Sequence, residues 1–424
     1  MSRVVVPCCL AVMLLAAARR VCAAELSLWP MAELDEIYDN NVNLTPTNRK
    51  GDFVTAETFG ATLEAATAAR DFFLTYQTDL LEYASYPGHD RFGSNHFANL
   101  SDNEKISPAT TLSISDSVLV GNAVSNGILA NGATPIGTQL MQSLFYQSST
   151  LSNYFAIDVF SRYSNSFTWT AGIHQDLFTT PSGPSSSSSG SGNFFDQEGA
   201  LGGEWDLPER FAAGFGYQFD DFRSSPGNLP TTEAHWPQFR MRWGEGTPFS
   251  ILARVGPIIS DSSSGSLGTT SPSGTVSTTR VPAQTGVEVG YLVSGNYRDR
   301  RLTVTASAAQ EPGFGAGFAG FATEQSYGLL VSYKLSRRAT VFVNGGYYTF
   351  SGTGVSAQAL TYTGGMAYRL NEYFTISASY LGFQTKASGS AVVGTLGAVP
   401  GARTTINLVQ AGITFAPPPL KWRL

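Results

Sequence analysis

Residues 326–383 read SYGLLVSYKLSRRATVFVNGGYYTFSGTGVSAQALTYTGGMAYRLNEYFTISASYLGF. Within them Tyr327, Leu329, Val331, Tyr333 and Leu335 occupy alternate positions, with Ser326, Gly328, Ser332 and Lys334 filling most of the gaps. The same period returns in Leu360, Tyr362, Gly364, Met366, Tyr368 and Leu370, and again in Phe374, Ile376, Ala378 and Tyr380. A period of two belongs to a β-strand, whose successive side chains point to opposite faces. On each apolar face two rings stand six residues apart: Tyr327 and Tyr333, Tyr362 and Tyr368, Phe374 and Tyr380. At about 3.3 Å per residue and a tilt near 40°, that interval climbs roughly 15 Å, so the rings reach the two margins of a thin apolar film. Strands that face lipid need rings at both ends, because their ends meet the headgroups.

The connections support the same reading. Ser336 to Ala339 and Arg369 to Phe374 are tight polar turns, whereas Gly352 to Gln358 is longer and Gly-rich. Short turns alternating with long loops are the pattern of an outer-membrane barrel. Followed outward, the alternation predicts strands at 33–44, 53–64, 70–83, 95–103, 110–121, 151–162, 167–178, 195–206 and 211–222. It continues at 233–244, 249–260, 281–293, 302–311, 322–335, 340–351, 359–370, 374–385 and 405–415, which makes 18. The fold class is therefore all-β: a transmembrane antiparallel up-and-down β-barrel of 18 strands, with 16 as the alternative. The longer connections, among them 122–150, 179–194, 261–280 and 386–404, then share one side, and both termini lie on the other. Asp116 breaks the apolar face of the 110–121 strand, and nothing in the sequence accounts for it.

Composition agrees. Charged residues make up 14% of the 424, aromatic residues 12%, and there are 44 glycines. No apolar run beyond the start of the chain approaches the roughly 18 residues of a membrane helix. Residues 1–24 read as a secretory signal, with Arg3, an apolar run from Val4 to Ala18, and cleavage after Ala23 or Ala24. The remainder divides into a short periplasmic lead at 25–32, the barrel at 33–416 and a periplasmic tail at 417–424. Cys8, Cys9 and Cys22 all fall in the signal, so the exported chain is expected to lack thiols and disulfides. Loss of Arg3, Arg19 and Arg20 also makes it more negative than the −6 of the full sequence. No basic stretch with interleaved rings invites nucleic acid.

Parity assigns the wall of the lumen. Asp158, Arg162, His174, Asp176, Glu204, Gln218, Asp220, Gln238, Arg240, Arg242, Arg254, Glu288, Lys334 and Arg369 are expected to point inward. Arg240 and Arg242 are expected to face acids such as Asp158 and Asp220. His174 with Asp176 hints at a hydrolase, but nothing fixes a nucleophile beside them, and the ordinary reading is a polar wall. His89 and His96 lack a third ligand at metal spacing. The glycines at 313, 315 and 317 join two strands and open no helix, so they fail as a phosphate-binding loop. No catalytic residue, cofactor or metal is expected. In the loop 122–150, Leu140, Met141, Leu144 and Phe145 recur at helical spacing, which predicts a short amphipathic helix narrowing the mouth.

Ile37–Pro46 (IYDNNVNLTP) with Asp52–Thr55, the strand Leu112–Ser117, and Gly412–Phe415 before Pro417 resemble the exopolysaccharide-associated outer-membrane barrels of the β-barrel porin 2 type. The resemblance is confined mainly to the two ends and carries no catalytic residues. It implies an 18-stranded barrel beside a polysaccharide export system, with a periplasmic export protein as partner. The favoured expectation is a conduit for a secreted exopolysaccharide in the outer membrane of a Gram-negative cell. The alternative is a general diffusion porin for small polar solutes, and in both cases the other partner is outer-membrane lipid.

Overall fold

The computed structural model describes residues 25–42, 49–86, 91–121, 150–179, 193–225, 231–270, 276–313, 322–352, 355–389 and 403–423. In chain order the strands are β1 (Glu25–Asp39), β2 (Asp52–Ala66), β3 (Arg70–Tyr83), β4 (Arg91–Ser107), β5 (Thr110–Gly121), β6 (Thr150–Ser164) and β7 (Phe167–Thr179). Then come β8 (Asn193–Leu207), β9 (Phe211–Ser225), β10 (Thr232–Trp243), β11 (Phe249–Ser262), β12 (Gly265–Thr270), β13 (Val276–Val281) and β14 (Gln284–Arg298). The last are β15 (Leu302–Gly313), β16 (Ala322–Lys334), β17 (Ala339–Gly352), β18 (Val355–Arg369), β19 (Phe374–Gly389), β20 (Arg403–Phe415) and β21 (Leu420–Arg423).

Each strand from β1 to β11 and from β14 to β20 pairs antiparallel with its sequence neighbour, and β20 returns to β1 through Phe415–Leu408 against Ala32–Asp39. The result is a closed barrel of 18 strands. Closure removes the free edges that an open sheet would expose. The pair β12–β13 is a separate hairpin on the β11–β14 connection. Below, the end bearing the short turns is the foot of the barrel and the other its head.

Three boundaries differ from the sequence reading. Residues 25–32, expected to be a lead, are the first half of β1 and pair with Ala66–Phe59 of β2. The tail is also partly strand, since β21 pairs with Glu25–Leu28. Pro30 hides this continuity from a pattern search. It sits where β20 has ended and β21 has not begun, opposite the Pro417–Pro419 break, so its missing N–H costs no ladder bond on that side. The strand expected at 281–293 is found at Gln284–Arg298, because Val276–Val281 pairs with Gly265–Thr270 instead.

The hydrogen-bonded rows climb the barrel. One row starts at Thr110 at the foot of β5 and passes through Ser161, Trp169, Gly203, Phe215, Phe239, Val255 and Tyr291. It continues through Gln310, Gln325, Thr349, Gln358 and Lys386 to Arg403 at the head of β20. This steady gain is the shear that accompanies tilted strands in a closed barrel.

The outer face is apolar over most of the circumference, with Val287, Val289, Leu329, Val343, Met366, Ile376, Val409 and Ile413 exposed. Rings border it. Toward the foot stand Phe167–Trp205, Trp243–Phe249 and Phe374–Phe415, with centroids 4.9, 5.7 and 5.2 Å apart. Toward the head stand Tyr38–Phe53, Tyr327–Tyr347 and Tyr362–Tyr380, at 5.1, 6.3 and 6.0 Å. Each such pair adds about 0.5–1.5 kcal/mol to its strand pairing beyond burial.

Candidate functional site

The register places all of the expected wall residues on one continuous face: Asp158 and Arg162 on β6, His174 and Asp176 on β7, Glu204 on β8, Gln218 and Asp220 on β9. Gln238, Arg240 and Arg242 on β10, Arg254 on β11, Glu288 on β14, Lys334 on β16 and Arg369 on β18 share it. This face is the concave one. Arg240 Nη1 donates to Thr170 Oγ1 at 3.1 Å, from β10 to β7 over two intervening strands, which only the inside of a curved sheet permits.

Two groups form on the arc β6–β11. Toward the foot, Arg242 Nε donates to Glu204 Oε2 at 3.1 Å, and Arg240 Nε approaches Glu204 Oε1 at 3.4 Å. Arg242 also meets Glu245 and lies 3.9 Å from Asp206, which Arg162 Nη2 reaches at 3.0 Å. Toward the head, His174 is held between Asp158 (Nε2–Oδ1, 3.0 Å) and Glu198 (Nδ1–Oε1, 3.3 Å). Asp176, Asp196, Glu198 and Asp220 crowd around it, and Glu311 on β15 comes within electrostatic reach of Glu198, Asp220 and Arg254. Gln218 Nε2 donates to Asp220 at 3.2 Å, and Gln238 Nε2 to Gln218 Oε1 at 3.3 Å.

The arginines therefore bind Glu204, not Asp158 and Asp220 as the sequence suggested. Asp158 is taken by His174 and Asp220 by Gln218, nearer the head. Lys334 and Arg369 share the face but stand apart, close to the feet of β16 and β18. Glu288 has the register of the wall, but its carboxylate accepts from Thr323 Oγ1 at 2.5 Å and from Gln310 Nε2 at 3.3 Å, residues on the same side as the outward Tyr327 and Tyr291, so it lies outside both groups. The helix expected in 122–150 falls outside the described residues, as does His89. His96 faces outward, and its Nδ1 lies 2.8 Å from the Tyr76 hydroxyl.

Sequence reading missed the glycines beneath the charged groups. A Cβ on Gly202 would stand 1.9 Å from Arg240 Nη1, and one on Gly216 2.8 Å from Arg240 Cδ. A Cβ on Gly172 would stand 2.3 Å from Asp158 Oδ1. These bare stretches let Arg240 lie flat along the wall and reach Thr170. Gly202→Val is expected to lift the guanidinium into the lumen and lower single-channel conductance, while Gly199→Val, on the open outer face, leaves it unchanged. Bilayer recordings of the two variants check this.

The wall is also less polar than parity implied. Near the head of β19–β20 and β1–β3, Phe383, Ile406, Leu408, Ile37, Val54 and Leu81 point inward and are buried. Trp236 is 0% exposed, packed with Ala234, Ile258 and Leu292 in space left by Gly290, where a Cβ would stand 2.6 Å from its Nε1. Equating apolar with outward could not find these side chains. By contrast, Asp196, Glu198 and Asp206 share the parity of Glu204 and were legible by the rule that found it.

No family model matches the chain, and no curated protein matches it. Among solved structures it is similar to Pseudomonas aeruginosa OccK2 (OpdF), at 11% identity and TM-score 0.42, covering 93% of this chain and 98% of that one. Pseudomonas aeruginosa OpdK with vanillate aligns at 10% identity and TM-score 0.42, covering 94% and 99%. Acinetobacter baumannii OccAB4 aligns at 9% identity and TM-score 0.42, covering 96% and 100%.

Proposed function

We propose that this barrel spans the outer membrane of a Gram-negative cell and serves as a passive channel for small hydrated polar solutes, cations before anions. The observation that carries the reading is the pairing of an apolar, ring-bordered outer face with an inner wall on which carboxylates outnumber basic groups. Asp158, Asp176, Asp196, Glu198, Glu204, Asp206, Asp220 and Glu311 share the inner face with few cations, chiefly Arg162, Arg240, Arg242, Arg254, Lys334 and Arg369. A wall of one dominant sign raises the local concentration of counter-ions and of cationic or neutral polar solutes. Individual pairs such as Arg162–Asp206 are solvated and contribute under about 1 kcal/mol each, so the summed field decides the preference.

Export of a secreted polysaccharide is the second reading. On β4 and β5 the inner positions are Asn99, Ser101, Asn103, Ser113, Ser115 and Ser117, a run of hydroxyls and amides. A passing sugar polymer needs many weak, replaceable hydrogen bonds of this kind, because tight binding would stall it. That role would require a periplasmic partner to deliver the chain.

Gene deletion separates the two. The channel reading expects slower uptake of small cationic and neutral solutes with surface polysaccharide intact. Loss of the polysaccharide with uptake unchanged would overturn it in favour of export.

A further inference from the structure

Parity sends most rings outward, but three rings on strand positions face the lumen with much of their surface exposed: Trp29 (43%), Phe73 (36%) and Phe160 (45%). Register fixes their direction. Trp29 pairs with Thr62, in a row that runs through Thr75, Asn99, Ser117 and Tyr154 to Asp176 on the inner wall. Phe73 pairs with Glu64 and Ser101, and Phe160 with Thr170. The outward positions beside the first two are Leu28, Leu63, Leu74 and Leu100. A ring held open on the wet side of the wall gains neither from lipid nor from a packed core, and exposed apolar surface of this kind marks a binding site.

Trp29 on β1 and Phe73 on β3 flank Glu64 on β2. The indole Nε1 donates to Glu64 Oε2 at 3.2 Å, while Glu64 Oε1 has no hydrogen-bond partner among the described residues. The two rings stand level. Phe73 lies two residues toward the foot from Thr75, a drop of roughly 5 Å, and the row from Trp29 to Thr75 climbs by about 3 Å per strand over two strands. Two strand spacings also separate the rings laterally by about 10 Å. A charge centred between them, over the Glu64 carboxylate, is then about 5 Å from each, within the roughly 6 Å reach of cation–π attraction. Phe160 has no such setting: it stands on β6 between Asp158, which His174 holds, and Arg162, which lies on Asp206.

We infer that Trp29, Glu64 and Phe73 form a site at the foot of the lumen for the quaternary or alkylated ammonium group of a passing solute. The inference deepens the channel reading above and rests on it, because it needs water on the inner side of the wall. Charge selects a cation. Glu64 and the exposed Asp71 face the site from β2 and β3, while Lys421, the basic group in the Glu64 row, is held by Glu25 at 2.8 Å. Hydrogen bonding selects against a primary ammonium, which brings three donors to be satisfied. Thr62 and Thr75 bond each other at 2.9 Å, and Glu64 Oε2 already accepts from the indole. An alkylated ammonium asks for no such set of acceptors and gains from the rings and the carboxylate charge, as in aromatic cages.

The test is binding of choline to the folded, purified chain in a non-ionic polyoxyethylene detergent, read by saturation-transfer NMR on the choline methyl protons. Wild-type protein is expected to bind choline, and to bind its uncharged isostere, with a tert-butyl group in place of the trimethylammonium, about tenfold more weakly. Trp29→Leu, Phe73→Leu and Glu64→Gln are each expected to weaken choline binding roughly three- to tenfold, while Phe73→Tyr retains it and Phe160→Leu leaves it unchanged. Gel mobility before and after heating confirms that each variant has folded. Equal binding of choline and its isostere, displacement of choline by a neutral disaccharide, or unchanged affinity when Trp29→Leu and Phe73→Leu are combined overturns the inference. Binding needs no current, so the two failures are distinguishable. A chain that conducts in a bilayer without binding choline contradicts this inference alone, and a silent bilayer with choline bound contradicts the channel reading.

Discussion

Gly412→Val is expected to stop the barrel from closing. Gly412 faces Asp35 across the β20–β1 seam, and a Cβ there would stand 1.7 Å from Asp35 Oδ1 and 3.0 Å from the Leu34 carbonyl oxygen. Asp35 is 0% exposed and has nowhere to retreat. The seam pairs Ala32–Asp39 with β20 and Glu25–Leu28 with β21, assisted by the bond from Thr414 Oγ1 to Glu33 at 3.1 Å and from the Asn407 N–H to Asn40 Oδ1 at 2.8 Å. An open seam would leave two strand edges facing lipid, each unpaired backbone group costing several kcal/mol, far more than the surrounding contacts can absorb. The folded, fast-migrating band of unheated samples should therefore be lost in Gly412→Val and retained in Gly199→Val and Gly295→Val, where nothing lies within 4 Å of the added carbon. A normal folded band for Gly412→Val would show that the seam tolerates the clash.

Neutralising Asp176, Asp196, Glu198 and Asp220 together, as Asn, Asn, Gln and Asn, is expected to erase most of the cation preference. These acidic side chains are the most crowded on the inner wall, and His174 is the basic group among them. With them neutral, the dominant charges on this arc become Arg240, Arg242 and Arg254. The reversal potential in a potassium chloride gradient should move severalfold in permeability ratio toward chloride. The shift should shrink in high salt, where the Debye length falls to about 3 Å and fixed charges are screened. An unchanged reversal potential at low salt would place the selectivity elsewhere.

Much of this architecture is legible in the residues. Alternation with rings at both ends, as in Tyr327 and Tyr333, identifies barrel strands because lipid on one side and water on the other leave few alternatives. The same parity rule places Asp158, His174, Glu204 and Arg240 on one face. It fails where a local interaction outweighs the pattern. Pro30 interrupts the alternation yet sits in a continuous strand, because a break between β20 and β21 lies opposite it. Trp236, Phe383 and Ile406 point inward, because buried apolar packing near the head competes with the polar wall. Pairing partners were harder still. Arg240 chose Glu204 and Thr170 because Gly202 and Gly216 clear a path along the wall, and such a path depends on register across three strands. Asp116, unexplained in the sequence, acquires a partner in Asn153, whose Nδ2 donates to its Oδ1 at 2.6 Å.

The most direct measurement is the current through purified wild-type protein in a planar bilayer with a potassium chloride gradient. A passive, acid-lined channel predicts discrete, ohmic conductance steps and a reversal potential on the potassium side. A silent bilayer despite folded, inserted protein, or a reversal potential on the chloride side, would contradict it.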